Sequence, residues 1–506
     1  MAVSSPSPTL EQSVEVTNPA TGERVGSVRS ASAEDVRAAV ARGRVAQERW
    51  AARPIGERAA LLLRYHDRVL DRTDQILDTI QKESGKARRD ALLDVLTVAG
   101  TARYYAVHGR KFLREERGRA AVFGLTSARV VYKPHGVVGI ISPWNFPFLL
   151  AIADALPALL AGNAVVLKPS ELTPLSAEIG RDLLLECGMD PDLLQIVHGR
   201  GDVGGELIRH VDYIAFTGGT ATGRKVALAA ADRLIPYSLE LGGKNPMLVL
   251  DGAPIDHAVM GLIAGAFNNT GQTCISTERV YVQDSLYDAF VAAAVERVGK
   301  LKLGYSQSFE TDMGSLISAA HADKVAGHID DAVARGATVL TGGRRRPDLG
   351  AAFVEPTLLA GVAPGMKMFK DETFGPVVAL YRVRDADEAV RLANDTEYGL
   401  NASVWGGNRR EVREVSRRLE SGSTGINSTL LIYHSFDVPL GGVKASGIGR
   451  RHGKHGILRF TEAQSIVRST TVGGGYESLL VRTTSTRWAH GLVRLFRLWR
   501  RVPGIR

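Results

Sequence analysis

Residues 213–223 read YIAFTGGTATG, a short apolar run followed by glycines and small hydroxyl residues. A run of this length that is rich in β-branched and aromatic residues and ends at a glycine is typical of a buried strand. We predict a strand over residues 213–216 and a helix that starts at Arg224. The loop between them is either a plain turn or a loop whose main-chain N–H groups bind a phosphate.

Similar apolar runs recur on both sides of this stretch, and helical patterns separate them. They lie at residues 137–141, 164–167, 194–197 and 247–250. Strands that are apolar on both faces and alternate with helices predict a parallel sheet covered on both sides. A second α/β half is predicted from about Asp256, with strands at residues 279–282 and 376–381.

The segments outside these strands also have recognisable periodicity. Helices are predicted at residues 31–50, with Ser32 or a neighbour as cap, and at 57–83 and 86–106. Residues 122–133 and 464–470 alternate like exposed strands and can form an arm outside both domains.

The composition is that of a globular protein of two or three domains, with 44% hydrophobic and 23% charged residues in 506. Two cysteines cannot build a disulfide framework, and the N-terminus lacks the pattern of a signal peptide, so we expect a cytoplasmic protein. The net charge of +9 owes much to an arginine-rich C-terminal segment. No nucleic-acid-binding motif is found.

Two glycine loops compete as the phosphate-binding loop. Residues 199–204 match G-x-G-x-x-G, but Arg224 and Lys225 lie where the acidic residue of a dinucleotide fingerprint is expected. Residues 216–223 are the better candidate because they open a helix directly after a strand.

Three polar residues can carry chemistry, and each has a plainer alternative. Cys274 is either a small buried side chain or a thiol at a helix start, where the helix dipole favours the thiolate. Glu240, just before a glycine turn, either caps or pairs, or is a desolvated base with a raised pKa. Asn145, between two prolines, either bonds its own turn or donates in an oxyanion hole.

Taken together and in order, these segments resemble the NAD(P)-dependent aldehyde dehydrogenases, over about Val14 to Ser469. The matching segments are PWNFP at 143–147, AGNAVVLKPSE at 161–171, FTGGTATG at 216–223, LELGGKNP at 239–246, NTGQTC at 269–274, ETFGPV at 372–377 and PLGGVKASGIGR at 439–450.

The resemblance implies catalytic roles for Cys274 as nucleophile, Glu240 as base for thioester hydrolysis and Asn145 as oxyanion donor. It implies NAD as cofactor, with NADP possible, since a carboxylate at Glu171 accepts from ribose hydroxyls and repels a 2′-phosphate. The implied cofactor-binding residues are Ser142, Pro143, Trp144, Lys168, Ser170, Glu171, Gly201, Phe216, Thr217, Gly218, Gly219, Gly223, Leu241, Gly242, Glu372 and Phe374.

The implied architecture is an α/β fold with a Rossmann-like cofactor domain, an α/β catalytic domain and a β-arm for assembling a homodimer or homotetramer. The expected boundaries are 10–115 with 135–243 for the cofactor domain, 244–436 for the catalytic domain, 116–134 with 455–470 for the arm and 471–506 for a basic tail. Two departures, Leu440 where the family often has Phe and Arg451 where it often has Glu, are expected not to touch the chemistry.

The substrate class has two candidates. The chain is most similar to actinobacterial succinate-semialdehyde dehydrogenases, which implies succinate semialdehyde. The positions where better-understood enzymes of that kind carry arginines hold Ala153 and Asn268 here, which suits uncharged aliphatic, aromatic or fatty aldehydes. A non-catalytic protein of this fold would be expected to lack Cys274 or Glu240.

The basic tail is predicted to form a helix with one apolar face, made by Trp488, Leu492, Leu495, Phe496 and Trp499. Such a helix either lies in a membrane interface or docks on the protein's own body or on a partner subunit. Peripheral membrane contact would favour lipophilic aldehydes.

Overall fold

A computed structural model describes residues 13–119, 126–469 and 486–499 of the chain. The predicted tail helix is present, but the side chains of Leu492, Leu495, Phe496 and Trp499 lie outside the described residues. Among the described helices, none combines the length and apolar character needed to cross a bilayer.

The strands of the described residues are numbered in chain order. They are β1 (Ser13–Thr17), β2 (Arg24–Arg29), β3 (Glu116–Gly118), β4 (Thr126–Pro134), β5 (Val137–Ile141), β6 (Ala164–Lys168), β7 (Leu194–Ile196), β8 (Tyr213–Thr217), β9 (Tyr237–Glu240), β10 (Asn245–Val249), β11 (Thr277–Gln283), β12 (Thr338–Thr341), β13 (Thr357–Ala360), β14 (Val377–Val383), β15 (Tyr398–Gly399), β16 (Asn401–Trp405), β17 (Ser423–Ile426), β18 (Val443–Lys444), β19 (Gly447–Ile448) and β20 (Thr461–Ser469).

The α-helices of the same residues are α1 (Ala33–Ala51), α2 (Ile55–Asp71), α3 (Thr73–Ser84), α4 (Arg88–Leu113), α5 (Pro147–Ile152), α6 (Ala155–Ala161), α7 (Leu175–Glu186), α8 (Gly201–Ile208), α9 (Thr220–Asp232), α10 (Ile255–Phe267), α11 (Asp284–Val298), α12 (Ala319–Ala334), α13 (Lys367–Lys370), α14 (Ala386–Asn394), α15 (Arg409–Arg418), α16 (Gly453–Leu458) and α17 (Thr486–Trp499).

Two mostly parallel sheets form the main unit, which comprises residues 13–112 and 134–461. The first sheet has the order β19-β9-β8-β5-β6-β7, and the second has the order β12-β13-β14-β11-β10-β16-β17. Both have a parallel centre with one antiparallel edge strand. The strands of the centre are buried along almost their whole length, which confirms the predicted α/β class with covered parallel sheets.

The local sequence explains where several elements begin. Ser32 caps α1 through a reciprocal pair of hydrogen bonds with Asp35, as its spacing predicts. The helix after β8 begins at Thr220, earlier than the predicted Arg224, so residues 220–223 form its first turn. The helical stretch predicted over 57–83 is two helices, α2 and α3, separated by Arg72.

The apolar run at residues 247–250 was predicted together with the strands of the first sheet. In the structure it belongs to the second sheet. It forms β10, which pairs with β11 and β16. A strand buried on both faces carries no periodicity that identifies its sheet, and this limits the prediction.

The second unit contains a three-stranded antiparallel sheet of order β20-β4-β3 together with α17. It begins at Glu462 on its C-terminal side, whereas the arm was predicted from residue 455. Residues 455–458 belong to α16, which packs on α6 in the main unit.

Candidate active site

The carboxyl ends of neighbouring strands in the first sheet bring predicted site residues to one edge. Ile141 of β5 is the register partner of Phe216 in β8, and Thr217 is the partner of Glu240 in β9. The segments that follow these strands therefore meet, and ligands of open α/β sheets bind at this kind of edge.

One cavity at this edge contains most of the predicted residues. It encloses about 710 Å³, with its open mouth included. The predicted residues that line it are Pro143, Trp144, Asn145, Thr217, Gly218, Gly219, Glu240, Leu241, Gly242, Cys274, Glu372 and Phe374. Leu150, His321 and Lys324 also line it and were not predicted.

The turn before Cys274 is built from left-handed backbone. Asn269, Thr270 and Gly271 have φ values of 50°, 56° and 71°. At Gly271 a Cβ would stand 2.1 Å from the carbonyl oxygen of Gly375, so only glycine fits there. This turn directs Cys274 toward the cavity and is held by the Asn269 amide, which donates to the main-chain oxygens of Asn145 and Gln272.

The prediction that Cys274 begins a helix is wrong. The 3-10 turn Asn268–Gly271 precedes Cys274, and the buried strand β11 starts three residues after it, so no helix begins at this cysteine. Burial raises the pKa of the Cys274 thiol to about 11, a hydrogen bond with Tyr433 lowers it, and the charge of Glu240 raises it. A helix dipole is therefore not what activates this sulfur.

Asn145 is fixed on both its main chain and its side chain. Its carbonyl accepts from Nζ of Lys86 at 2.6 Å, and Lys86 is in turn paired with Asp94 at 3.3 Å in the interior. Its side-chain Nδ2 donates to the carbonyl of Gln272 at 3.0 Å. One N–H of the amide is used by that bond, so the other is available to the cavity.

Glu240 is a buried carboxylate whose Oε1 has no hydrogen-bond partner among the described residues. A Cβ on Gly441 would stand 2.9 Å from that oxygen, so the chain passes close to it. Burial raises the pKa of Glu240 to about 7, although the charges of Arg451 and Arg459 lower it. A carboxylate with this pKa can exchange protons near neutral pH.

Arg451 acts on the proposed catalytic groups through its charge, which the sequence does not predict, and for Leu440 the prediction stays a prediction. Arg451 and Leu440 both line a second, narrow cavity, which shares Leu150 with the first and also contains Tyr433. Arg451 donates to Oγ1 of Thr217 and forms an ion pair with Asp154. Its charge acts on both Glu240 and Cys274.

Several features of the first cavity suit a dinucleotide. The first turn of α9 has Gly219 at its N-cap with no side-chain cap, so its N–H groups are available to a phosphate. The hydroxyl of Ser142, which directly precedes the lining residue Pro143, is buried and has no partner among the described residues. A Cβ on Gly242 would meet Oε2 of Glu372 at 2.4 Å, which shows how closely the carboxylate approaches this loop.

Glu372 and Phe374 on the wall of this cavity are held by specific contacts. Oε1 of Glu372 accepts from the N–H of Gly243 at 2.8 Å, and burial raises the pKa of Glu372 to about 7. Phe374 has a φ of 57° and packs edge-on against Trp144, with ring centroids 5.5 Å apart. These contacts orient the ring and the carboxylate toward the cavity.

The remaining predicted residues do not line this cavity. Lys168 and Glu171 are 3.5 Å apart at the end of β6, and the main-chain N–H of Ser142 donates to the carbonyl of Lys168. The other members of this group are Ser170, Gly201 at the start of α8, Phe216 and Gly223. A Cβ added to Gly223 would stand 2.4 Å from the Leu241 side chain. Their roles stay predictions.

The chain is similar to known proteins over nearly its whole length. The pattern that defines the aldehyde dehydrogenase family matches residues 6–466. A protein of Mycolicibacterium smegmatis named "Putative succinate-semialdehyde dehydrogenase [NADP(+)]" is 44% identical over 96% of this chain and 93% of its own. The mitochondrial succinate-semialdehyde dehydrogenase of Arabidopsis thaliana is 38% identical over 90% and 86%.

Solved structures give the same result. A succinate-semialdehyde dehydrogenase from Burkholderia pseudomallei has a TM-score of 0.87 and 37% identity, with 90% of this chain and 95% of that chain covered. An NAD-dependent aldehyde dehydrogenase from Sinorhizobium meliloti has a TM-score of 0.88 and 34% identity, with 92% and 93% covered.

Proposed function

The chain belongs to the aldehyde dehydrogenase family, and on that basis we propose that Cys274, Glu240 and Asn145 oxidise an aldehyde to its carboxylic acid. The observation that carries this proposal is that all three side chains line one cavity. A nicotinamide dinucleotide, NAD or NADP, supplies the hydride acceptor when it is bound.

Cys274 attacks the aldehyde carbonyl and forms a thiohemiacetal. The free N–H of the Asn145 amide and the main-chain N–H of Cys274 stabilise the oxyanion that develops on the carbonyl oxygen. Loss of hydride from this tetrahedral carbon leaves a thioester on Cys274.

Glu240 then takes a proton from a water molecule, which attacks the thioester and releases the acid. Its pKa of about 7 makes it a base near neutral pH, and its unpaired Oε1 can accept the proton. Hydrolysis regenerates the thiol for the next turnover.

We propose succinate semialdehyde as the substrate. Two relatives carry that name, and the second cavity has arginines on its wall. Arg451 and Arg459 share the single carboxylate of Asp154 in direct ion pairs, and a substrate carboxylate that enters this cavity could pair with them as well. The apolar stretch at Leu149, Leu150 and Ala153 in the same cavity supports the alternative of uncharged aldehydes.

The two substrate classes are separated by a matched pair of four-carbon aldehydes. We expect kcat/KM for succinate semialdehyde to exceed that for butanal by about tenfold or more, the size of one charge-assisted hydrogen bond. The panel also includes hexanal, benzaldehyde and a long-chain aldehyde, each with NAD and with NADP. Equal values for the two four-carbon aldehydes would favour the uncharged class.

We propose NAD as the preferred cofactor, because Glu171 lies 3.5 Å from Lys168 and opposes a 2′-phosphate there. The M. smegmatis relative is named for NADP, so the same panel measures both cofactors.

We also propose that the β20-β4-β3 sheet mediates homo-oligomer formation. β20 is an edge strand, and its Ile466 and Val467 are 46% and 68% exposed. Light scattering of a Val467→Lys variant tests this, since a charge there should shift the protein to smaller assemblies.

For α17, liposome co-sedimentation of the full chain and a 1–484 variant tests membrane contact.

A further inference from the structure

Tyr433 contacts the sulfur of Cys274, and neither the motifs nor the resemblance pointed to it. Its hydroxyl oxygen lies 3.5 Å from Sγ, within the range of a hydrogen bond to sulfur. Tyr433 belongs to the 3-10 turn Leu431–His434, and its ring is tilted against Phe146 with centroids 6.2 Å apart. The main chain and the neighbouring ring therefore hold the hydroxyl at the sulfur.

The direction of this hydrogen bond follows from the charge states of the two groups. Burial and the neighbouring Cys274 raise the pKa of Tyr433 well above its ordinary value, so the phenol keeps its proton at any working pH. A thiolate can only accept. Once Cys274 is ionised, Tyr433 must therefore be the donor.

Other charged groups act on the same sulfur from different elements. Glu240 at the end of β9 and Glu372 before β14 oppose its ionisation, whereas Arg451 favours it. Burial opposes ionisation more than any of them. Within the described residues, Tyr433 supplies the side-chain hydrogen bond to Sγ, and a direct bond to the charged form offsets part of this cost.

We propose that Tyr433 is a further catalytic residue, whose hydroxyl donates to Cys274 and stabilises the thiolate that attacks the aldehyde. The proton that the thiol loses leaves to solvent in the cavity, and Tyr433 neither gains nor loses one. This inference rests on the proposed role of Cys274 as the nucleophile.

The test is the pH dependence of Cys274 alkylation by iodoacetamide, followed by peptide mass spectrometry on the free enzyme. Only the thiolate reacts, so the midpoint of the profile reports the pKa of the thiol. Tyr433→Phe removes the hydroxyl and keeps the ring. We expect its midpoint to rise by about one pH unit or more, and its alkylation rate at neutral pH to fall by about tenfold.

The control is Tyr381→Phe, because Tyr381 is also largely buried and its hydroxyl has no partner among the described residues. Its profile should match that of the unmodified protein. Thermal melting of both variants separates a local effect from loss of folding, which would move the midpoint down toward the ordinary cysteine value of about 8.5 and not up.

Two outcomes separate this inference from the proposed function. An unchanged midpoint in Tyr433→Phe would overturn the donor role of Tyr433. A shifted midpoint together with full aldehyde oxidation by Cys274→Ala would support the hydrogen bond and overturn the assignment of Cys274 as nucleophile.

Discussion

Arg451 and Asp154 form a two-point ion pair in the interior, beside the proposed base. Nε of Arg451 donates to both carboxylate oxygens of Asp154, at 3.0 and 3.2 Å, and Nη2 donates to Oδ2 at 2.7 Å. Arg459 pairs with the same carboxylate. Burial alone would raise the pKa of Asp154, but the two arginine charges outweigh it and lower this pKa to about 2.

Replacement of Asp154 by Asn should destabilise the protein strongly, because two buried guanidinium groups would lose their carboxylate. We expect the free energy of unfolding to fall by about 3–5 kcal/mol, measured by urea denaturation. Asp387→Asn is the matched control, since Asp387 pairs with Arg418 on the surface with 80% of its side chain exposed. A similar small loss in both variants would contradict the prediction.

Cys274→Ala should reduce aldehyde-dependent formation of NADH or NADPH to background, because no thiohemiacetal can form. Cys187→Ala is the control, since this second cysteine lies at the end of α7, away from the cavity. The measurement is the absorbance of the reduced cofactor with the aldehyde panel. Residual steady turnover in Cys274→Ala would require a different nucleophile.

Glu240→Gln should separate the two halves of the reaction. Acylation of Cys274 continues, so one equivalent of reduced cofactor forms in a burst, while hydrolysis slows by about 10²–10⁴-fold. Stopped-flow absorbance measures both phases. Parallel loss of the burst and the steady rate would argue against a role confined to hydrolysis.

The pH dependence of hydrolysis gives an independent test of Glu240. The pKa of this group is raised to about 7, and only its ionised form is a base. Where hydrolysis limits turnover, kcat should therefore rise as the pH increases through about 7 and level off above it. In Glu240→Gln this rise should disappear, and its persistence would assign it to another group.

Glu171→Gln should shift the cofactor preference toward NADP. The substitution removes the carboxylate that opposes a 2′-phosphate and leaves Lys168, 3.5 Å away, free to attract it. We expect the ratio of kcat/KM values, NADP over NAD, to rise on the order of tenfold, about 1.4 kcal/mol. Glu186→Gln, at a surface ion pair with Arg68, is the control and should leave the ratio unchanged.

The sequence predicts β5 to β8 of the first sheet and β10, β11 and β14 of the second, because short apolar runs bounded by glycine or polar residues have few alternatives. It does not predict β9 and β19 of the first sheet or β12, β13, β16 and β17 of the second. It does not predict Tyr433 or the role of Arg451. Both lie in residues 427–452, which have little regular structure, and tertiary packing alone brings them to Cys274 and Glu240. The motif around Cys274 identifies a reactive residue, yet the backbone that presents it depends on contacts with residues distant in the chain.

The close packing of Gly271 against Gly375 joins two loops that are about a hundred residues apart in the sequence, so one is synthesised well before the other. Until residues around 375 have packed, Cys274 is an ordinary thiol with none of the neighbours that tune it. The balance of burial, hydrogen bonding and charge that sets the pKa of this thiol is thus a late product of folding, and a nascent or misfolded chain would meet cellular electrophiles with the ordinary pKa of an exposed cysteine.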